Sequence, residues 1–163
     1  DSWIEGAHLY TAVSKPVEEK FAHFAKSLNI KAFNAKTWKI LLENRLIERY
    51  VDIFDLKNKR NEMLLIKGLG EKKVDLLIEE IELSRRSSFE QLLNAMQYHA
   101  LGSKMCKDIA KNFSSLEDFL NTNIEEVVSK VKSLNAPAKS TISELLDNVN
   151  LQKDIIEVSD NMK

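Results

Sequence analysis

The sequence contains few of the residues that build cross-links or interrupt helices. One cysteine among 163 residues excludes an internal disulfide and a four-cysteine zinc site. Two prolines and four glycines are few for the tight turns of a many-stranded sheet. No run of about 18 apolar residues is present, which excludes a membrane-spanning helix. These absences favour a helical protein, and 44% hydrophobic residues are enough to fill its core.

The start of the chain and its single cysteine bear on the compartment of the protein. Residues 1–5 lack the basic start and the apolar run of a secretory signal. The chain begins with Asp1 and not with Met, which suggests a fragment or a processed product. The single cysteine, Cys106, fits a reducing compartment. We therefore expect an intracellular protein.

Charge is uneven along the chain, although the net charge is only −1. Residues 57–113 carry eleven basic and eight acidic side chains, a net charge of +3. Residues 114–163 carry five basic and nine acidic side chains, a net charge of −4. An anionic partner would therefore bind most readily to the middle third. An excess of three charges also occurs as ordinary surface variation, so charge alone does not decide the function.

Apolar residues recur at intervals of three and four, which is the period of amphipathic helices. No linker rich in glycine, proline or serine divides the chain. We predict an all-α fold in which residues 15–163 form one compact domain, while residues 1–14 remain unassigned. Helices are expected to begin near Pro16, Asn34, Leu56, Glu71, Ser88, Ser103, Asn123, Pro137 and Leu151.

The most informative motif is Gly68-Leu69-Gly70, where one predicted helix ends and the next begins at once. The glycines permit positive φ and keep side chains away from a ligand, while the leucine between them should point inward. Unpaired amides at the new helix start can bind a phosphate oxygen. Three lysines lie beside the motif, namely Lys67, Lys72 and Lys73. Without those lysines the motif would equally fit a simple turn between two helices.

Weaker copies of this hairpin occur elsewhere in the chain, which indicates an internal repeat. We number the hairpins 1 to 4, at residues 30–36, 66–72, 98–104 and 133–138. Hairpin 3 has one glycine before a basic helix, and its candidate residues are Gly102, Ser103, Lys104 and Lys107. Hairpins 1 and 4 lack glycine, and we expect Asn135 to replace it because asparagine tolerates left-handed dihedrals.

The run from Phe54 through the Gly68-Leu69-Gly70 motif to Glu82 resembles the second hairpin of bacterial NAD-dependent DNA ligases. Phe89 to Glu117 is similar to the third hairpin, and residues 134–158 fit the fourth more loosely. In that family, the region is a helix-hairpin-helix domain that clamps nicked duplex DNA from the minor-groove side. The resemblance therefore implies binding to backbone phosphates without sequence specificity, in DNA replication and repair.

Several features of the family are missing from this sequence. Residues 1–20 do not contain the cysteines of the zinc module that normally precedes the domain. The catalytic Lys-x-Asp-Gly is also absent, since the nearest match is Lys73-Val74-Asp75-Leu76. The three histidines do not fall at metal-ligand spacing. We expect no catalytic or metal-binding residue and no cofactor in this chain, because NAD and Mg would belong to a missing catalytic domain.

Two alternatives to a ligase domain remain open. The chain could be a helix-hairpin-helix domain of another repair or recombination protein, or a degenerate helical scaffold for protein interactions. Salt-dependent binding to duplex DNA would distinguish the two DNA-binding hypotheses from the scaffold hypothesis. The sequence upstream of Asp1 would separate a ligase from the other repair proteins.

If the chain is a ligase domain, we expect a cytoplasmic, nucleoid-associated monomer. Its partners would be duplex or nicked DNA and other domains of the same protein. We expect no membrane partner. Hairpins 2 and 3 should share one docking face, whereas Lys132 and Lys139 should matter much less. The candidate phosphate-binding residues are Lys67, Gly68, Leu69, Gly70, Lys72, Lys73, Gly102, Ser103, Lys104 and Lys107.

Overall fold

A computed structural model describes residues 15–163, which contain ten α-helices, one 3₁₀ helix and no strand. The predicted all-α fold is confirmed. The unassigned segment 1–14 lies outside the described residues. The α-helices are α1 (Val17–Ser27), α2 (Ala35–Glu43), α3 (Arg60–Leu64), α4 (Glu71–Ser84), α5 (Phe89–Ala95), α6 (Ser103–Asn112), α7 (Leu116–Leu120), α8 (Ile124–Lys130), α9 (Ala136–Asp147) and α10 (Val149–Asn161), and the 3₁₀ helix is Tyr50–Lys59.

Most helices begin where the sequence places a polar capping residue. Asn34 caps α2 and Asn123 caps α8, in each case by accepting a backbone amide hydrogen bond. Ser88 caps α5 in a capping box with Gln91. The cap at Ser115 starts α7, a helix that the sequence analysis did not predict. These local signals explain why the short helices follow one another so closely.

The region between α2 and α4 differs from the prediction. The sequence predicts a helix that begins near Leu56, but a 3₁₀ helix covers Tyr50–Lys59 and α3 covers only Arg60–Leu64. Tyr50, Ile53 and Leu56 are all buried and lie three residues apart, which matches the three residues per turn of a 3₁₀ helix. The core therefore selects the tighter helix.

Buried apolar residues form one cluster that extends from Phe21 to Val158. The last helix, α10, returns to the first half of the chain and contacts the 3₁₀ helix. Arg49 holds it there through Asp154 at 3.1 Å and Glu157 at 2.7 Å. Among the described residues, no helix is long and apolar enough to cross a membrane. The cluster leaves the four hairpin turns at the surface, each at the start of a helix.

Candidate nucleic-acid interface

Hairpin 2 joins α3 to α4 around one buried leucine. Leu69 is only 6% exposed, and its amide donates a hydrogen bond to the Ile66 carbonyl at 3.2 Å. The Gly70 carbonyl accepts the first helical hydrogen bond of α4 from the Val74 amide at 3.0 Å. The predicted inward position of Leu69 is thus confirmed, and its burial fixes the turn against the core.

The two glycines of hairpin 2 differ in backbone conformation. Gly68 has φ of +95°, a value that side chains of L residues rarely adopt. Gly70 has φ of −79° and ψ of 157°, which any residue can adopt, because it is the N-cap of α4. The prediction of positive φ is therefore right for Gly68 and wrong for Gly70. A Cβ atom at Gly70 would meet no heavy atom within 4 Å, so internal packing does not require glycine there either.

The start of α4 is open because its N-cap residue has no side chain. The first amides of any α-helix lack an intrahelical acceptor. At α4 no described side chain caps them. The helix has 14 residues, so the positive end of its dipole adds to the donors. Hairpin 2 therefore presents amides that no described side chain caps, next to open space at the Cβ position of Gly70.

Hairpin 3 repeats this geometry in the same register. Leu101 is 2% exposed, and its amide donates to the Tyr98 carbonyl at 3.1 Å. Gly102 is the uncapped N-cap of α6 with φ of −73°, and a Cβ there would also meet nothing within 4 Å. Ala100 stands where hairpin 2 has Gly68, and it keeps a positive φ of 64° at a cost of about 1 kcal/mol. The turn therefore survives without its first glycine.

Hairpins 1 and 4 differ because asparagine caps their helices. The Asn34 side chain accepts the Thr37 amide at 3.0 Å, and the Asn135 side chain accepts the Ala138 amide at 2.9 Å. Asn135 has φ of −97°, so the expectation of a left-handed residue there is wrong. Its role is to cap the helix. Both asparagines bind internally an amide that an external anion would otherwise contact.

Specific contacts connect each asparagine-capped hairpin to the helix that follows a glycine-capped one. Glu80 on α4 accepts the amides of Lys31 at 2.9 Å and Ala32 at 2.7 Å in hairpin 1. Asp108 on α6 accepts the Ser133 hydroxyl of hairpin 4 at 2.6 Å. Hairpin 1 therefore lies against α4, and hairpin 4 lies against α6.

Most of the predicted lysines are available to a ligand. Lys73 is the exception, because it is half-buried with its Nζ 5.7 Å from the centroid of the Phe33 ring. It therefore packs toward hairpin 1. Ser103, the first residue of α6, is exposed. Four lysines are exposed and form no ion pair with any described side chain, namely Lys67, Lys72, Lys104 and Lys107.

Arg60 joins the two helices of hairpin 2, a role that the sequence analysis missed. Its Nε lies 2.7 Å from the Asp75 carboxylate, and a terminal nitrogen lies 3.0 Å from Glu71. The hydrogen bond from Arg60 lowers the pKa of Asp75, and the same bond raises the pKa of Arg60. Glu71 is the first residue of α4, where its charge would repel an anion. Arg60 partly neutralises that charge.

Aligning the four hairpins by their N-cap residues reveals a further basic position. The residue three places before the N-cap is exposed in every hairpin. Only Lys67 among these four was a predicted site residue, although the alignment needs nothing beyond the sequence. The four residues are Lys31, Lys67, His99 and Lys132.

The other residues with reactive or metal-binding side chains have structural explanations. The His23 ring lies 2.8 Å from the Asn94 carbonyl, so it packs within the fold. Burial raises the pKa of the Cys106 thiol to about 12, and the thiol donates to the Leu101 carbonyl. Within residues 15–163 no three His, Cys, Asp or Glu side chains group as metal ligands would. His8 lies outside the described residues.

Comparison with known proteins gives relatives that are named DNA ligase. The chain is 28% identical to the Clostridium tetani protein over 160 residues, which are 94% of this chain and 24% of that protein. It is 34% identical to the Clostridium perfringens protein over 131 residues, which are 77% of this chain and 20% of that protein. The Metamycoplasma arthritidis protein is 24% identical over 147 residues, 85% of this chain and 22% of that protein.

The similarity covers only part of the length of each relative. The chain spans no more than about a quarter of the relatives that it matches. No protein-family model matches it. The chain is therefore related to a region of DNA ligases.

Proposed function

We propose that this chain binds duplex DNA through backbone phosphates, without sequence specificity, as the non-catalytic helix-hairpin-helix domain of an NAD-dependent DNA ligase. Hairpins 2 and 3 are the principal contacts and lie on one docking face. Nicked duplex DNA is the partner, in replication and repair. NAD and Mg belong to a catalytic domain elsewhere in the ligase.

One observation carries the proposal. Gly70 and Gly102 cap the helices α4 and α6, although neither φ nor internal packing requires glycine at these positions. A glycine that the protein itself does not need is explained by the close approach of a ligand to the backbone. Uncapped amides and the positive end of a helix dipole suit an anion, and phosphate is the anion that DNA repeats regularly.

The unpaired lysines support the same ligand. Lys67 and Lys72 flank the start of α4, and Lys104 and Lys107 lie on the first turns of α6. Each lysine that neutralises a phosphate releases counterions, which makes the affinity fall as salt rises. The relatives named DNA ligase favour a ligase over the other repair proteins.

The proposal is tested with two charge-reversal pairs on the 163-residue chain. Lys72→Glu with Lys104→Glu should lower affinity for a nicked duplex at least about a hundredfold and flatten the salt dependence. Lys132→Glu with Lys139→Glu is the matched control and should have a much smaller effect. Fluorescence anisotropy at two salt concentrations measures both, and circular dichroism checks that helicity is kept.

Two results would overturn this proposal. If the control pair weakens binding as much as the first pair, the docking face is wrongly placed. If the parent chain shows no salt-dependent binding to DNA, the chain acts as a scaffold for protein interactions.

A further inference from the structure

Leu65 is the most exposed of the large apolar side chains in the described part of the chain. It is 86% exposed, whereas Leu83 is 57% exposed and Leu76 is 46% exposed. Leu65 lies at the end of α3, three residues before Gly68 and two before Lys67. An apolar side chain so exposed gains nothing from the core.

The other hairpins show that the turn does not need an apolar residue at this position. Counted five places before the N-cap, hairpin 1 has Asn29, hairpin 3 has Gln97 and hairpin 4 has Lys130. Only hairpin 2 has an apolar residue there. Leu65 also has an ordinary helical backbone, with φ of −77° and ψ of −13°. Asn29 and Gln97 have positive φ of 64° and 55°, so the polar residues of hairpins 1 and 3 belong to a left-handed backbone that Leu65 does not share. The helical backbone at Leu65 accepts any residue, so it does not require the leucine.

We propose that Leu65 is a positioning residue that inserts into the minor groove of the bound duplex, where it packs against sugar and base edges. This inference rests on the proposed function, because hairpin 2 must first bind the phosphates. Apolar side chains placed in the minor groove can partly unstack a base step and bend the duplex. A nicked duplex bends more readily than an intact one at the interrupted strand, so the contact favours nicked DNA.

The surroundings of Leu65 support this ligand over an apolar protein surface. Lys67 is exposed and unpaired within the described residues, and the uncapped amides of α4 follow directly after the turn. An apolar partner would have to cover this cation and these donors without satisfying them, which is costly. Duplex DNA offers phosphates to the lysine and amides, and apolar sugar edges to the leucine.

The test compares Leu65→Gln, which introduces the residue of hairpin 3, with Leu83→Gln at the far end of α4. On a nicked duplex, Leu65→Gln should lower affinity about tenfold, because an apolar contact is lost. The salt slope should stay unchanged, because no counterion release is lost. Leu83→Gln should leave affinity within about twofold of the parent, as expected for a surface change.

A second readout reports the groove directly. With 2-aminopurine beside the nick, the parent chain should raise the fluorescence by unstacking the base, and Leu65→Gln should raise it less. Equal affinity and equal fluorescence for the parent and Leu65→Gln would overturn the inference while leaving the proposed function standing. If the parent itself does not bind the duplex, the proposed function fails, and the role of Leu65 fails with it.

Discussion

The four hairpins fall into two kinds that differ in the turn and in the helix cap, since only hairpins 2 and 3 have a residue with positive φ two places before the N-cap. Hairpins 2 and 3 end in Gly70 and Gly102, which leave the next helix start open. Hairpins 1 and 4 end in Asn34 and Asn135, whose side chains bind an amide of the next helix. An asparagine cap thus satisfies a helix amide within the fold, whereas a glycine cap leaves the corresponding amide without a side-chain acceptor.

The energetic difference between the two kinds of cap is small. Replacing an asparagine cap by glycine costs a helix only a few tenths of a kcal/mol, whereas replacing it by alanine costs about 1 kcal/mol. A glycine cap therefore gives up little stability while exposing the amides. Conversely, a side chain at Gly70 should cost the fold little and the ligand much. Stability and ligand affinity can therefore be measured separately for the two kinds of cap.

The largest effect is expected when both glycine caps are filled. Gly70→Val with Gly102→Val should lower affinity for a nicked duplex at least about a hundredfold, because two sets of amides lose their phosphates and each is worth roughly 1.5–3 kcal/mol. Both positions have ordinary φ and free space for a Cβ, so the fold should survive. Anisotropy measures affinity, and thermal unfolding checks the fold. Unchanged affinity in a folded double variant would reduce both glycines to simple turn residues.

The asparagine caps should give the opposite result. Asn34→Ala with Asn135→Ala should destabilise the fold by about 2 kcal/mol, at about 1 kcal/mol for each lost cap. Affinity for the duplex should stay within about twofold of the parent, because these variants leave the uncapped starts of α4 and α6 unchanged. Urea unfolding measures the stability, and anisotropy well below the unfolding midpoint measures the affinity. A large loss of affinity in the folded variant would show that hairpins 1 and 4 bind the ligand too.

A smaller effect is expected at the arginine that holds hairpin 2 together. Arg60→Ala should lower affinity about threefold, because Glu71 regains a full charge beside the phosphate site. Hairpin 3 has Ser103 at the position of Glu71, so it needs no such arginine. Anisotropy measures the change, and Glu71→Gln in the Arg60→Ala background should restore the affinity. If it does not, the arginine acts only by holding the two helices.

The same arginine also predicts a pH dependence of stability. Arg60 lowers the pKa of Asp75 in the folded state. The pair therefore stabilises the fold above the ordinary pKa of the carboxyl group, and this contribution disappears as pH falls through the lowered value. The parent and Arg60→Ala should differ in stability at neutral pH and converge in acid. A constant difference across that range would contradict the pairing.

The sequence predicts well what depends on neighbouring residues. The capping residues and the Gly68-Leu69-Gly70 turn follow from local hydrogen bonding and dihedral preferences. The 3₁₀ helix was missed because the burial of Tyr50, Ile53 and Leu56 decides it, and burial depends on distant parts of the chain. The sequence also does not show whether a glycine is needed for positive φ or for ligand access. For this reason the prediction of positive φ at Gly70 is wrong.

Contacts between residues that are distant in the sequence could not be predicted. Glu80 accepts the Lys31 amide of hairpin 1, although the two residues are 49 positions apart in the sequence. Asp108 accepts the Ser133 hydroxyl over a separation of 25 positions. Neither pair follows a helical or strand period, so no pattern predicts it. By contrast, the exposed basic residue three places before each N-cap can be found by aligning the N-caps, although only Lys67 and His99 lie beside a glycine-capped helix start.

We expect the glycine-capped helix starts to bind phosphate and the asparagine-capped starts not to bind it. An NMR titration of the 163-residue chain with a nicked duplex follows the amides themselves. The amides of residues 71–73 and 103–105 should shift strongly, while those of residues 35–37, 136 and 138 should shift little. Equal shifts at all four helix starts, or shifts confined to lysine side chains, would contradict the account.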